Sequence, residues 1–478
     1  MQITKFGLLF NSVAFLLFLP AVVILYYLLP HRYRWILLLG ASYFFYGSWK
    51  VEFLSLILLS TVVDYSIARL LDSWRGQRAR RALVGLSLIV NLGVLFVFKY
   101  LQLFLPDVDP MIVNIYTVDF PWKGFLKQAI YFSIPVGISF YTFQTLSYTL
   151  DVYHRRVQPE KHLGKFALFV SFFPQLVAGP IERFGRLMPQ LNTKQLFDYD
   201  NFQTAFRLML YGFFLKMCIA DNLAPLVDQV YDHPDWYSSF TVLFGTMGFG
   251  FQIYADFAGY SLIAQGAALM LGIKLMDNFK TPYFSTSIGE FWKRWHISLS
   301  TWFRDYLYIP LGGSKQAAWR WAIAIMIVFV VSGFWHGANY TFLIWGAIHG
   351  GLYLIERMLK PLSVKVPQTA RKVLGAILIF ILVQLAWVYF RADSVQHAES
   401  VLSSLIRSKG TSTLQIPYHV AIVFVVFTLM EIAQYNVRVD AFLGRFKTPI
   451  RWILYAAILW CIAVWSGLTN HPFIYFQF

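Results

Sequence analysis

Long apolar runs separated by short polar loops dominate the chain. Near the N-terminus they span 6–29, 33–49, 51–71, 83–105 and 128–150, and similar runs recur up to a final one at about 452–467. A transmembrane helix needs roughly 20 predominantly apolar residues, and we count about eleven to thirteen such runs. The pattern predicts an all-α, polytopic integral membrane protein. The first run lacks a small-residue cleavage site, so we interpret it as a membrane helix rather than a removed signal peptide.

The pattern is looser between 164 and 310. Pro174, Gly179 and Pro180 interrupt the apolar stretches, and a polar, charged segment runs from Lys274 to Arg304. Irregular backbone at membrane depth is tolerated only where protein shields it or where it lines a wet cavity. This region is therefore predicted to hold re-entrant segments and a cavity. Because no inverted repeat, low-complexity tail or soluble domain stands out, we interpret residues 1–478 as a single membrane domain.

Charge in alternate loops predicts the orientation. The first loop, the third loop and the loop after the fifth run are basic, through Arg32 and Arg34; Arg75, Arg78, Arg80 and Arg81; and Arg155, Arg156 and Lys161. The stretch from Arg438 to Arg451 is also basic, whereas 106–127 is mainly acidic. By the positive-inside rule the basic loops are cytoplasmic, which places both termini outside.

Composition excludes several classes of function. Of 478 residues, 58% are hydrophobic and 13% charged, whereas soluble domains carry about 25% charged residues. The net charge of +16 follows from membrane orientation and does not indicate nucleic acid. Cys218 and Cys461 lie in apolar segments without metal-ligand spacing, so no disulfide framework or metal site is expected. Phosphate-loop, dinucleotide, nucleophile-elbow and zinc-protease motifs are missing, which disfavours nucleotide and serine hydrolases.

The segment Glu290–Tyr306 places a histidine in apolar company. The spacing predicts one amphipathic helix with an aromatic stripe of Phe291 or Trp292, Trp295, Leu299, Trp302 and Tyr306. His296, Ser300 and Arg304 follow at i, i+4 and i+8 on another side of that helix. An interfacial anchor helix would explain the stripe, but it would not explain His296.

His336 is the second candidate. It lies late in the apolar run 321–336 between Gly333 and Gly337, where backbone or substrate could approach closely. Intramembrane ionisable residues are functional candidates, and an imidazole with a pKa near 6.5 suits a general base. Asn339, three residues on, could orient the ring or hold substrate. A helix-packing histidine is the alternative, and His349 has the same ambiguity.

Glu290–Gly313 and Phe334–Asn339 resemble the membrane-bound O-acyltransferase family. Further similar stretches extend the resemblance over most of the chain, with a core at about 128–360: Pro135–Gln144, Phe173–Pro180, Asp256–Ser261 and Asp277–Pro282. The chain looks most like the bacterial branch of alginate and peptidoglycan O-acetyltransferases, with teichoic acid D-alanyl transferases a step further away. Gly259–Leu262 reads Gly-Tyr-Ser-Leu, a form closer to the D-alanyl branch than Gly-Tyr-Ser-Asp, which leaves donor and polymer open.

The resemblance implies a ring of membrane helices, with re-entrant and interfacial helices, around a central tunnel. It implies that His296 and His336 are the family's two characteristic histidines and that His336 is essential for transfer. Asn339, Arg304 and Ser300 are expected to support them. The expected reaction moves an acetyl group from acetyl-CoA, a substrate rather than a bound cofactor, across the bacterial inner membrane to an extracytoplasmic polysaccharide or other polymer. A partner protein outside the membrane is expected to complete the transfer.

The C-terminal segment Phe473–Phe478 resembles the tyrosine-containing tail of a small partner protein in the D-alanylation pathway. That resemblance suggests Tyr475 as a transient acyl carrier, since a covalent ester splits one hard transfer into two easier steps. An interfacial aromatic anchor is the alternative. Two functions without covalent chemistry also remain open at this point: a transporter or flippase that uses the histidines as a proton relay, and a scaffold for a secretion complex.

Overall fold

The computed structural model describes residues 8–101, 135–177, 179–359, 367–466 and 473–476. The acidic loop 106–127 and the first part of the run 128–150 lie outside these ranges. The described α-helices, in chain order, are α1 Val13–Leu28, α2 His31–Gly47, α3 Leu54–Ser73, α4 Gln77–Leu95, α5 Ile138–Tyr153, α6 Leu163–Ser171, α7 Phe173–Leu176, α8 Phe184–Asn192, α9 Tyr199–Phe213, α10 Asp221–Asp232, α11 Ser239–Met270, α12 Ile288–Arg294, α13 Ile297–Phe303, α14 Ala318–His336, α15 Tyr340–Leu359, α16 Gln368–Arg391, α17 Val395–Arg407, α18 Tyr418–Ala433, α19 Val439–Gly444 and α20 Thr448–Trp465.

The all-α, multi-pass membrane architecture is confirmed. Six helical stretches among the described residues are long and apolar enough to cross a membrane: Val51–Ser73, Gln77–Tyr100, Tyr199–Asp232, Ala318–His336, Gln368–Arg391 and Thr448–Trp465. The shorter α1 and α18 are also apolar. Within the described ranges extended pairing is limited to isolated bridges. The total of about eleven to thirteen spans stays a prediction.

The chain forms two compact units. The N-terminal unit contains the chain up to Phe197 and Leu271–Lys274, and the C-terminal unit contains Asp198–Met270 and Leu275–Gln477. In the N-terminal unit α3, α4 and α5 pack around the buried carboxyl group of Asp64. Asn91 Nδ2 donates to Asp64 Oδ2 at 2.8 Å and Thr149 Oγ1 to Oδ1 at 3.0 Å. Neutral donors from neighbouring helices thus satisfy a polar group that would be costly if left unpaired.

The C-terminal unit is built on α11, a helix of 32 residues. The helix α9 and the π-helical segment Phe214–Ala220 that follows it pack along α11. Within the region 164–310, residues 199–232 and 239–270 are continuously helical. Irregular backbone is confirmed around the start of the polar segment, at 271–287, where a single 3₁₀ turn interrupts otherwise non-helical backbone. The re-entrant segments stay a prediction.

The prediction of one helix over 290–306 is also wrong. The chain forms α12, breaks at Trp295–His296, and resumes as α13. His296 has a left-handed backbone with φ of 41°, a conformation that costs free energy for a residue with a Cβ and that clusters at functional sites. Because of this break, His296, Ser300 and Arg304 do not share one continuous helical face.

Backbone hydrogen bonds from the preceding segment explain the break. Lys280 N donates to Arg294 O at 3.0 Å, and Asn278 O accepts from Ile297 N, also at 3.0 Å. The backbone of residues 278–280 therefore bonds to the carbonyl of Arg294 and the amide of Ile297, on either side of His296. In an uninterrupted helix both groups would pair within the helix instead. Ser287 caps the start of α12 by accepting from Glu290 N, in the Ser-x-x-Glu pattern typical of helix N-termini.

Candidate active site

His336 is the last residue of α14 and is 2% exposed. Aromatic rings surround it, with the centroid of Trp335 at 4.8 Å, Trp345 at 5.1 Å and Phe390 at 5.4 Å. These rings exclude water from the imidazole and pack against it on several sides.

Close packing of α14 against α15 positions His336. A Cβ added at Gly333 would lie 2.2 Å from the carbonyl oxygen of Phe342, and one added at Gly346 would lie 2.4 Å from the carbonyl oxygen of Phe329. Small residues allow this approach of two helix backbones in membrane proteins. The close approach predicted from Gly333 is confirmed, and it occurs between backbones.

His296 is held by Asn278. The amide Oδ1 of Asn278 lies 3.1 Å from His296 Nδ1 and also accepts from Ser298 N at 3.2 Å and Ser298 Oγ at 2.9 Å. Since a backbone N–H can only donate, this Asn278 atom is the amide oxygen and His296 Nδ1 carries the proton. Nε2 is then the basic nitrogen. Burial lowers the pKa of His296 to about 3, so the ring is neutral near pH 7.

The C-terminal 3₁₀ turn Ile474–Phe476 brings Tyr475 to both histidines. Its ring centroid lies 5.6 Å from that of His336 and 6.4 Å from that of His296. The ring packs on Phe257 at 4.7 Å. Its buried hydroxyl has no hydrogen-bond partner among the residues that the structure describes. Two imidazoles and a phenol thus converge in one aromatic chamber.

A cavity of about 440 Å³ adjoins this chamber. Asn278, which holds His296, lines it together with Ser261 and Gln265 of α11 and Glu431 of α18. Tyr211 and Tyr254 donate their hydroxyl protons to the two oxygens of Glu431 at 3.2 and 2.9 Å. Lys280 and Arg438 are the cations on its wall. Both polar and apolar groups therefore face the cavity.

The three residues expected to support the histidines are engaged elsewhere. Asn339 donates from Nδ2 to the carbonyl oxygen of Asp393 and accepts at Oδ1 from Thr341 N, so neither bond reaches His336. The Arg304 side chain is 59% exposed and pairs with Asp305. The Ser300 hydroxyl donates to the carbonyl oxygen of Trp295. Their roles in the reaction rest on the resemblance alone.

Comparison with known proteins identifies the family of the chain. The profile of the membrane-bound O-acyltransferase family matches residues 43–394, a span that includes both histidines. A probable alginate O-acetylase from Azotobacter vinelandii is 41% identical over 408 residues, covering 85% of this chain and 79% of the relative.

The chain belongs to the membrane-bound O-acyltransferase family.

It is therefore an O-acyltransferase, which sets aside a transporter or scaffold without covalent chemistry. A peptidoglycan O-acetyltransferase from Helicobacter pylori is 34% identical over 441 residues, covering 85% of this chain and 81% of the relative. A teichoic acid D-alanyltransferase from Streptococcus thermophilus is 32% identical over 241 residues, covering 47% of this chain and 57% of the relative. The last match is confined to about half of each chain.

Three polar residues of this O-acyltransferase were not predicted from the sequence. Asn278 belongs to the stretch Asp277–Pro282, which resembles the family, but no local pattern connects it with His296, eighteen residues on. Lys216 and Asp221 stand in an apolar stretch, and ionisable residues in such stretches are functional candidates. That signal is present in the sequence and marks Lys216 and Asp221 as candidates, although it does not show that Lys216 also pairs with Asp256.

Proposed function

We propose that this acyltransferase moves an acetyl group from a cytoplasmic thioester donor such as acetyl-CoA, by way of Tyr475, to a hydroxyl of an extracytoplasmic polysaccharide. The observation that carries the proposal is the placement of the Tyr475 ring 5.6 Å from His336. Relatives named for acetylation of alginate and of peptidoglycan support the choice of acetyl group and of a carbohydrate acceptor.

His336 acts as the general base in the first half of the reaction. Burial raises the pKa of the Tyr475 phenol, so the hydroxyl reacts only if a base removes its proton as the new bond forms. The phenol oxygen attacks the thioester carbonyl, and the carbon–sulfur bond breaks. The proton taken by His336 passes to the departing thiolate, so the products are O-acetyl-Tyr475 and a free thiol.

The second half repeats the chemistry with a different nucleophile. His336 takes the proton of an acceptor hydroxyl, which attacks the acetyl ester on Tyr475, and the phenol leaves and regains a proton. His296, neutral and fixed by Asn278, offers Nε2 to the same chamber and orients the reacting hydroxyl. In this scheme His336 transfers the protons and His296 positions the reacting hydroxyl.

The cavity that adjoins Asn278 is proposed as the donor site. Its polar lining suits the amide and hydroxyl groups of a thioester-bearing arm. Lys280 and Arg438, which lie 3.8 and 3.5 Å from carboxylate oxygens of Asp277, are proposed to exchange this partner for donor phosphates. The basic stretch from Arg438 to Arg451 is proposed to face the cytoplasm, and both termini the outside, in a bacterial inner membrane. An extracytoplasmic partner protein is proposed to receive the acetyl group before the polymer does.

Labelled donor tests the proposal in purified enzyme. Acid-quenched wild type should yield a C-terminal peptide with acetyl on Tyr475, detected by mass spectrometry, and Tyr475→Phe should lose both this label and polymer acetylation. The matched control is Tyr418→Phe, an exposed tyrosine on α18. Full polymer acetylation by Tyr475→Phe would rule out the carrier role. Acetylation by His336→Ala at the wild-type rate would rule out His336 as the base.

A further inference from the structure

We propose that the buried ion pair of Lys216 and Asp256 holds the C-terminal segment in place and so positions Tyr475 against His336. The inference rests on the proposed carrier role of Tyr475 and adds the residues that make this role possible. Lys216 and Asp256 act through the segment, so they are positioning residues rather than catalytic ones.

Lys216 is enclosed between two carboxylates. Its Nζ lies 2.8 Å from Asp256 Oδ1 and 2.8 Å from Asp221 Oδ1, and the three side chains are between 1% and 5% exposed. Burying ions is costly unless their geometry and remaining hydrogen bonds are satisfied. Lys216 contacts Oδ1 of Asp256, so Oδ2 of the same carboxylate is available to accept from a further donor.

The C-terminal segment supplies that donor. Ile474 N donates to Asp256 Oδ2 at 2.7 Å, a short bond between a backbone amide and a buried carboxylate. Hydrogen bonds to an ionised acceptor are about twice as strong as neutral ones. Asp256 therefore uses one oxygen for Lys216 and the other for the tail.

Phe257 and Tyr260, which lie near Asp256 on α11, also contact the C-terminal segment. Phe473 packs on Tyr260, with ring centroids 4.6 Å apart, and Tyr475 packs on Phe257 at 4.7 Å. The hydrogen bond from the Ile474 N–H to Asp256 fixes the backbone between these two rings. Because the fixed residue directly precedes Tyr475, it sets the direction of the phenol toward the histidines, and reactions lose rate steeply when a reacting group is misplaced by about 1 Å.

Substitution at Ile474 removes the donor and keeps both buried charges in the chain. Ile474→Pro replaces the N–H by a ring carbon that also crowds Asp256 Oδ2, so the segment can no longer bond there, although proline fits the first position of the 3₁₀ turn. Ile474→Val is the matched control, since it trims the side chain but keeps the N–H. Loss of a hydrogen bond to a buried carboxylate should slow acetylation of Tyr475 by about 10- to 100-fold in the proline variant, and far less in the valine variant.

Hydrogen–deuterium exchange tests docking of the tail separately from chemistry. The Ile474 amide of the full chain should exchange slowly in wild type and in Tyr475→Phe, and much faster in Asp256→Asn. Asp221→Asn is the control for this readout, because it neutralises the carboxylate of Lys216 that does not contact the tail. Exchange is measured by mass spectrometry of fragmented C-terminal peptides.

The outcomes separate the two proposals. Equal protection of the Ile474 amide in wild type and Asp256→Asn would overturn the inference, whatever the role of Tyr475. Faster exchange with unchanged Tyr475 acetylation, or equal loss in the proline and valine variants, would also overturn the positioning role. Full activity of Tyr475→Phe would instead remove the carrier role, while the exchange data would still report on docking.

Discussion

Asn278 and His296 are joined by a buried hydrogen bond of 3.1 Å between the amide oxygen and Nδ1 of the imidazole. The same oxygen accepts two bonds from Ser298, so one atom fixes the ring, its protonated nitrogen and the start of α13. A single side chain outside the histidine's own helix thus determines which nitrogen of His296 is basic.

Asn278→Ala should destabilise the protein. Removal of Oδ1 leaves buried donors on His296 and Ser298 without an acceptor, at a cost of about 1 to 3 kcal/mol for each unsatisfied group. Thermal unfolding in detergent measures the effect. Ser298→Ala is the control, because it removes one donor but leaves the acceptor its other bonds. An Asn278→Ala protein as stable as Ser298→Ala would contradict this account.

The protein should become less stable as the pH falls below about 6.5, because His296 titrates differently in the folded and unfolded states. Its pKa is lowered by burial to about 3, and an unfolded histidine has a pKa of about 6.5. Between these values the unfolded state binds the extra proton, so acid favours unfolding, by up to about 2.7 kcal/mol from pH 6.5 to 4.5. His296→Asn, which cannot titrate, should show a correspondingly flatter dependence of melting temperature on pH. Parallel curves for the two proteins would contradict the prediction.

Gly346→Ala should separate α14 from α15. Its Cβ would lie 2.4 Å from the Phe329 carbonyl oxygen, and overpacking of this kind costs about 1 to 3 kcal/mol. Gly351→Ala is the control on the same helix, where nothing lies within 4 Å of the added Cβ. It should be neutral or stabilise by up to about 1 kcal/mol. Equal melting temperatures for the two variants would argue against close packing as the support of His336.

Leu262→Trp should weaken donor binding. Leu262 lines the cavity beside Asn278, and an indole there would fill space proposed for the donor. We expect a higher KM for the thioester with a smaller change in kcat, measured by release of free thiol. Leu243→Trp is the control, because Leu243 is exposed on the same helix and does not line the cavity. An unchanged KM in Leu262→Trp would place the donor elsewhere.

Local pattern predicted much of the fold and singled out the two histidines, whose roles stay predictions. The apolar runs gave the membrane helices because helix length and composition are local properties, and Gly333 gave the close approach at His336. The break at His296 could not be predicted this way, since its cause is a pair of backbone bonds from 278–280. Helical periodicity describes a residue's own segment and carries no information about a competing partner.

Long-range contacts formed the rest of the site. The segment that places Tyr475 near His336 is bonded through the Ile474 N–H to Asp256, far back in α11. Aromatic residues at a C-terminus are equally suited to a membrane interface. The composition of the tail therefore does not distinguish a position beside the histidines from one at the membrane interface. The bond from Ile474 to Asp256 joins residues 218 positions apart, and the sequence of the tail carries no information about it.

The C-terminal segment belongs to the same polypeptide as the chamber it occupies. Tyr475 lies ten residues beyond Trp465, the last residue of α20, so its return to the histidines is an intramolecular event. Because the phenol is part of the same chain, it reaches the histidines without an encounter with a separate carrier molecule. The chain thus supplies one carrier hydroxyl for each pair of histidines, and occupancy of the chamber does not depend on the concentration of a second molecule.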